Sequence, residues 1–141
     1  MAIQITPGPT VGELTLTWDP HNDDPRGYLD RATKDGRLES ALTALGASTI
    51  EALETTGDLG QITQATASIQ RELERRMRAM VVQLRDHEGK SWGDIAMLLY
   101  DDPSKRSSAR GVYNAGVRQM GLGHLAVAED DDATDDQAQQ N

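Results

Sequence analysis

Arg110, Asn114 and Arg118 recur at four-residue spacing, and Ser107 precedes Arg110 by three. At 100° per residue, all four fall on one stripe of a helix. Their chemistry is that of base recognition. A guanidinium pairs with guanine O6 and N7, a carboxamide pairs with adenine N6 and N7, and a serine hydroxyl serves either. Lys105, Arg106 and Ser108 lie at the start of the same helix, where cations and backbone N–H groups suit phosphates. Lys90 and Ser91 open the preceding helix and join this phosphate-contacting set. Ala109, Val112, Tyr113, Gly116 and Met120 occupy another face, which is expected to pack.

These side chains need helices to position them. Ser91-Trp92-Gly93-Asp94 fits a capping box, with Ser91 at the N-cap and Asp94 three residues on. Trp92, Ile95, Ala96 and Leu99 form the inward face of a helix of about nine residues. Asp101 to Ser104 is a turn. Asp102 is the expected N-cap of the next helix and Pro103 its first residue, giving a helix over 103–120 ended by Gly121 and Gly123. A long helix over 61–87 precedes both. Its apolar stripe runs through Ile62, Ile69, Leu73, Met77, Met80 and Leu84, and Glu72–Arg76 and Glu74–Arg78 are spaced for i,i+4 pairing. Such a stripe packs inside the fold or forms a dimer seam.

A resemblance covers residues 61–121. Leu84, Arg85, Gly89, Ser91, Trp92, Ile95, Ala96 and Leu99, with Ala109 and Tyr113 more loosely, follow a known pattern. In it a long helix ends in leucine and arginine with a glycine shortly after, then come S-W-x-x-I-G/A-x-x-L, a turn, and a helix with alanine and an aromatic. The segment resembles the small helix-turn-helix DNA-binding proteins of GC-rich, actinobacterial-type bacteria. The resemblance implies a tri-helical fold that reads the major groove with its last helix. The chain departs from the pattern between Leu99 and Tyr113, where it is about three residues longer.

The remainder is less specific. Ile3 and Ile5, then Leu14, Leu16 and Trp18, alternate with polar residues around Pro7-Gly8-Pro9, as in a short hairpin. Such a hairpin needs helices or another chain to pack on. Two or three short helices follow, with Leu38, Leu42 and Leu45 at helical spacing, Gly46 as a C-cap, and Ser48 or Thr49 as an N-cap. Asp19, His21, Asp23 and Asp30 fall at positions of a calcium-loop pattern, but Asp24 replaces the required glycine and Pro25 follows, so the stretch reads as an acidic loop.

The net charge of −9 is unevenly spread. Residues 1–60 hold ten acidic and four basic side chains (−6), residues 61–121 seven and ten (+3), and residues 122–141 six and none (−6). A modestly basic module thus lies between acidic ones. With no cysteine, thiol catalysis, disulfides and thiolate metal sites are excluded. No apolar run suits a membrane span and no signal peptide is evident. No catalytic constellation stands out.

The expectation is therefore a mainly α protein in three parts. Residues 1–60 form an acidic region with an extended arm or hairpin and short helices, suited to oligomerisation or to a protein partner. Residues 61–121 form a helix-turn-helix domain, and residues 122–141 a disordered acidic tail that competes for the basic face. The expected function is sequence-specific double-stranded DNA binding, as a transcriptional regulator or mobile-element accessory factor. The protein would be a cytoplasmic, nucleoid-associated homodimer without enzymatic activity, cofactor, metal or membrane partner. The alternative is a non-DNA-binding helical protein-interaction module or regulator whose acidic segments solubilise it or mimic DNA.

Overall fold

The computed structural model describes residues 3–127. The chain is mainly helical, with one two-stranded antiparallel sheet. It divides into two compact units between Gln70 and Arg71. The division falls inside the long helix, whereas the expected boundary at 60/61 falls near that helix's start.

In the first unit, β1 (Gln4–Pro7) pairs with β2 (Leu14–Thr17), setting Ile5 opposite Leu16 and Pro7 opposite Leu14. Alternation places these apolar residues on one face and Gln4, Thr6, Thr15 and Thr17 on the other. Ile5 and Leu14 stay largely exposed. In the acidic loop, the Asp19 carboxylate accepts from the His21 N–H and from Asn22, and Asp23 accepts from the Asp19 N–H. The Asp24 carboxylate accepts from the Leu29 and Asp30 N–H groups, capping the next helix. These donors hold the Asp19 carboxyl below the usual carboxylate range. The loop's carboxylates thus serve the backbone and do not converge on a cation.

Three short helices follow: α1 (Tyr28–Lys34), α2 (Arg37–Gly46) and α3 (Ile50–Thr56). Thr49 is the side-chain cap of α3, accepting from the Ala52 N–H at 3.1 Å. Arg37 ties the unit together. Its guanidinium lies 5.0 Å from the Tyr28 ring centre and donates to Ser68 on the long helix α4 (Leu59–Asp86). Ala32, Ile62 and Ala65 are the buried apolar residues here. Leu42 and Leu45 remain exposed, so only Leu38 of the α2 leucine stripe is half-buried.

The second unit is built from the C-terminal half of α4, then α5 (Trp92–Tyr100), α6 (Arg106–Gln119) and a 3-10 turn at Gly123–Leu125. Val81, Val82, Trp92, Ile95, Ala96, Ala109, Tyr113 and Val117 form its core. The α4 stripe read from sequence packs only in part in this unit: Leu84 lies against the core and Met77 is half-buried. Leu73 and Met80 are 62% and 59% exposed, while the neighbouring Val81 and Val82 are buried. What selects the Val81–Val82 face is the close approach of α6. A Cβ on Gly116 would lie 2.8 Å from a Val82 methyl, so only glycine fits there.

Residues 122–127 depart from the expected disordered tail. Gly121, at φ 75°, turns the chain at the end of α6, and the Leu122 N–H donates to the Val117 carbonyl. Leu122 and Ala126 then pack on the core, because their apolar side chains have somewhere to go. The expected disorder of residues 128–141 lies outside the described residues. No helix among the described residues is long and apolar enough to cross a membrane.

Candidate nucleic-acid interface

The start of α5 is set by a reciprocal cap. The Asp94 N–H donates to Ser91 Oγ at 3.0 Å, and the Ser91 N–H donates to the Asp94 carboxylate at 3.3 Å. Aspartate thus performs the task usual for glutamate. The cap fixes Trp92 at the first helical position, pointing into the core.

Trp92 organises the site from beneath. Its ring meets Tyr113 edge-on at 5.3 Å, an arrangement favoured by the aromatic quadrupole. The Arg85 guanidinium lies 4.4 Å from a Trp92 ring centre, and that of Arg110 lies 5.8 Å away. Arg85 also donates to the Lys90 carbonyl, closing the α4–α5 connection. The Tyr113 hydroxyl donates to Asp86 at 2.9 Å. Burial and then this carboxylate push the Tyr113 phenol up to about 12.

The α5–α6 connection is longer than the expected turn. Asp101 adopts the left-handed conformation, with φ 55°, and its N–H donates to the Met97 carbonyl. The Ser104 hydroxyl and N–H both donate to Asp102 and hold its carboxyl below the usual range. Asp102 therefore closes a turn of its own. The N-cap of α6 is Lys105 and its first residue is Arg106, three positions beyond the expected start at Pro103.

The face of α6 differs from the expectation as well. Arg110 and Asn114 are 2% and 1% exposed, so neither is a base-contacting residue as the protein stands. Arg110 is taken up against Trp92. Asn114 Nδ2 donates to the Val127 carbonyl at 2.8 Å, and the Val127 N–H donates to Asn114 Oδ1 at 2.8 Å. The buried arc of α6 runs from Gly116 to Asn114, about 160° of the helix. It is wide because α4, α5 and the 122–127 segment all pack on it.

Ser107 and Arg118, the other two expected base contacts, are exposed. With Ser108, Gly111 and Ala115 they make the outer face of α6. Small side chains at 107, 108, 111 and 115 would let another surface approach the α6 backbone closely. Lys105 and Ser108 are exposed, and the Lys105 ammonium lies 5.4 Å from the Tyr100 ring centre. Lys90 is exposed beside Ser91. Arg106 is half-buried and lies over the first turn of α5. A Cβ on Gly93 would stand 3.5 Å from Arg106 Nε and 3.7 Å from Ser91 Oγ. Ser91 and Arg106, fifteen positions apart, thus both flank Gly93. Gln119, absent from the expected set, donates to the Arg75 carbonyl and joins the end of α6 to α4.

No protein-family model matches this chain, and no curated protein or solved structure matches it significantly.

The acids of α4 and its cations are partly self-satisfied: Arg76 pairs with Glu72 and Arg78 with Glu74. Among the described residues, no carboxylate lies within ion-pair distance of Lys90, Lys105, Arg106 or Arg118. Nor, among them, do three or more His, Asp or Glu side chains converge as a metal site would require. The geometry offers positive charge, hydroxyls and a narrow helical face.

Proposed function

We propose that residues 71–127 form a helix-turn-helix module that binds double-stranded DNA, with α6 as the element entering the major groove. The observation that carries this reading is the set of four cations, Lys90, Lys105, Arg106 and Arg118, at the start of α5 and along α6, none of which has a carboxylate within ion-pair distance among the described residues. Ser107, Ser108 and Arg118 are the groups that reach base edges, while Lys105, Arg106, Lys90 and Ser91 hold the phosphates. Asn114 and Arg110 position α6 and do not read bases. The resemblance of residues 61–121 to small helix-turn-helix proteins points the same way. A homodimer engaging two half-sites suits this class of reader, and a role in transcription or in a mobile element follows from it.

Binding through four cations predicts a slope of log affinity against log salt of roughly −3 to −4. Fluorescence anisotropy with a 20-base-pair random duplex (about two helical turns) across a salt series tests this. A slope near zero, or no binding at low salt, would reject the reading.

One observation favours a second reading, a protein-interaction module. Leu73, Met80, Met97 and Leu98 are all about half or more exposed on the same unit. Loss of DNA binding with retained, salt-insensitive self-association would favour it.

A further inference from the structure

The N-terminal hairpin leaves one strand edge open. The Gly8 N–H donates to the Glu13 carbonyl at 2.7 Å, so Gly8 and Glu13 form a hydrogen-bonded pair at the end of the ladder. Hydrogen-bonded and non-hydrogen-bonded pairs alternate along antiparallel strands. Thr6–Thr15 and Gln4–Thr17 are therefore hydrogen-bonded pairs, while Pro7–Leu14 and Ile5–Leu16 are not. The peptide groups of Ile5 and Pro7 consequently face outward on the β1 edge, and those of Leu14 and Leu16 on the β2 edge. On the β1 edge, Pro7 has no N–H to give. On the β2 edge, Leu14 and Leu16 each present an N–H and a carbonyl, and among the described residues no backbone hydrogen bond outside the ladder uses them. Nor does β2 carry the charge, proline or bulge that ordinarily protects an edge. We infer that the β2 edge pairs with the β2 edge of a second copy of this chain, making a four-stranded antiparallel sheet with its two-fold axis at Thr15.

The sequence around Thr15 fits its own two-fold image. Leu14-Thr15-Leu16 reads the same in both directions. Antiparallel pairing about Thr15 sets Leu14 of each copy opposite Leu16 of the other, and the two Thr15 side chains opposite each other. The leucine pairs are then the hydrogen-bonded ones, and all four outward N–H groups meet carbonyls. Any other register pairs fewer of them within Leu14–Thr17. Glu13 falls opposite Thr17, so no like charges meet. Paired residues share a face, so Ile5, Pro7, Leu14 and Leu16 of both copies line one side of the sheet. Leu14, 64% exposed in one copy, gains Leu16 of the other as a cross-strand neighbour. Three or more strands with an apolar face are stable where an isolated hairpin is marginal. The contact joins four residues of each copy, well short of the roughly 800 Å² per partner of a standard interface, so the dimer is weak and concentration-dependent. It belongs to the first unit and stands whether or not the second unit binds DNA.

Sedimentation velocity of the full chain without DNA, from about 5 μM to about 500 μM, should show monomer passing to dimer. Thr15→Glu sets two carboxylates against each other and Thr15→Lys two ammonium groups. Each variant alone should need at least about threefold more protein to dimerise at low salt. Mixed in equal amounts, the two should recover the parent's association. The chain has no cysteine, so Thr15→Cys supplies a single thiol. A non-hydrogen-bonded antiparallel pair brings its Cα atoms to about 4.5 Å, within disulfide range. Under mild oxidation Thr15→Cys should cross-link into dimers at least about tenfold faster than Thr6→Cys, which lies on the same face but on the outer strand. A parent that stays monomeric throughout, a dimer indifferent to both charge variants, or equal cross-linking at positions 6 and 15 would overturn the inference. If the dimer behaves as stated while the random duplex fails to bind, the DNA reading fails and the paired edge stands.

Discussion

The backbone of α6 at Gly116 lies directly against the Arg78 carbonyl of α4. A Cβ built on Gly116 would sit 2.7 Å from that oxygen. This contact sets the depth at which α6 docks and therefore which of its side chains stay outside. Gly116→Ala would gain helix propensity, but the backbone oxygen cannot move aside as a flexible side chain can. Overpacking of this kind costs about 1–3 kcal/mol, and thermal unfolding should show a fall in Tm of several degrees. An unchanged or raised Tm would mean that α4 and α6 are not so close.

Arg110→Ala should act on stability and not on sequence preference. The side chain is buried against Trp92, and removing it leaves a gap and unsatisfied partners worth about 1–3 kcal/mol. Urea unfolding of the variant measures this. A stable variant with altered base preference would return Arg110 to the reading surface.

Tyr113 links stability to alkaline pH. Its folded value of about 12 lies above the ordinary tyrosine value, so folding favours the protonated phenol. That contribution is complete below about pH 10 and is lost as pH rises toward 12. Unfolding free energy followed by urea titration should fall over this window in the parent chain. Tyr113→Phe should flatten this part of the fall, and equal slopes for the two proteins would count against the Asp86 bond.

Ser91→Ala removes one half of the α5 capping box. The expected loss is about 1 kcal/mol, with Ser91→Thr close to the parent. Because Ser91 is also one of the proposed phosphate contacts, the alanine variant should weaken polyanion binding more than its stability loss explains. Binding measured well below Tm separates the two effects.

The sequence was most legible where local rules act alone. The Ser91–Asp94 cap, the inward set Trp92, Ile95 and Ala96, the Gly121 stop and the Thr49 cap depend on neighbours within a few residues. The mainly helical class and the N-terminal hairpin followed from the same kind of pattern. What escaped was the orientation of α6. Arg110 and Asn114 look like an exposed polar stripe until Trp92 and the Val127 backbone are known to satisfy them. One signal was present: Leu122, Leu125 and Ala126 just beyond the helix stop are apolar residues in search of a surface. The start of α6 shifted for a related reason. Asp102 has two roles open to it, helix cap or turn closure, and Ser104 takes it for the turn.

The central claim is that α6 and the start of α5 bind a polyanionic duplex through Lys90, Lys105, Arg106 and Arg118. The most direct test is the salt dependence of duplex affinity in the parent chain and in the single variants Lys105→Ala and Lys90→Ala. Each substitution should reduce the slope of log affinity against log salt by about 1, since each removes one phosphate-neutralising charge or its equivalent. Slopes identical to the parent's in both variants would contradict the account.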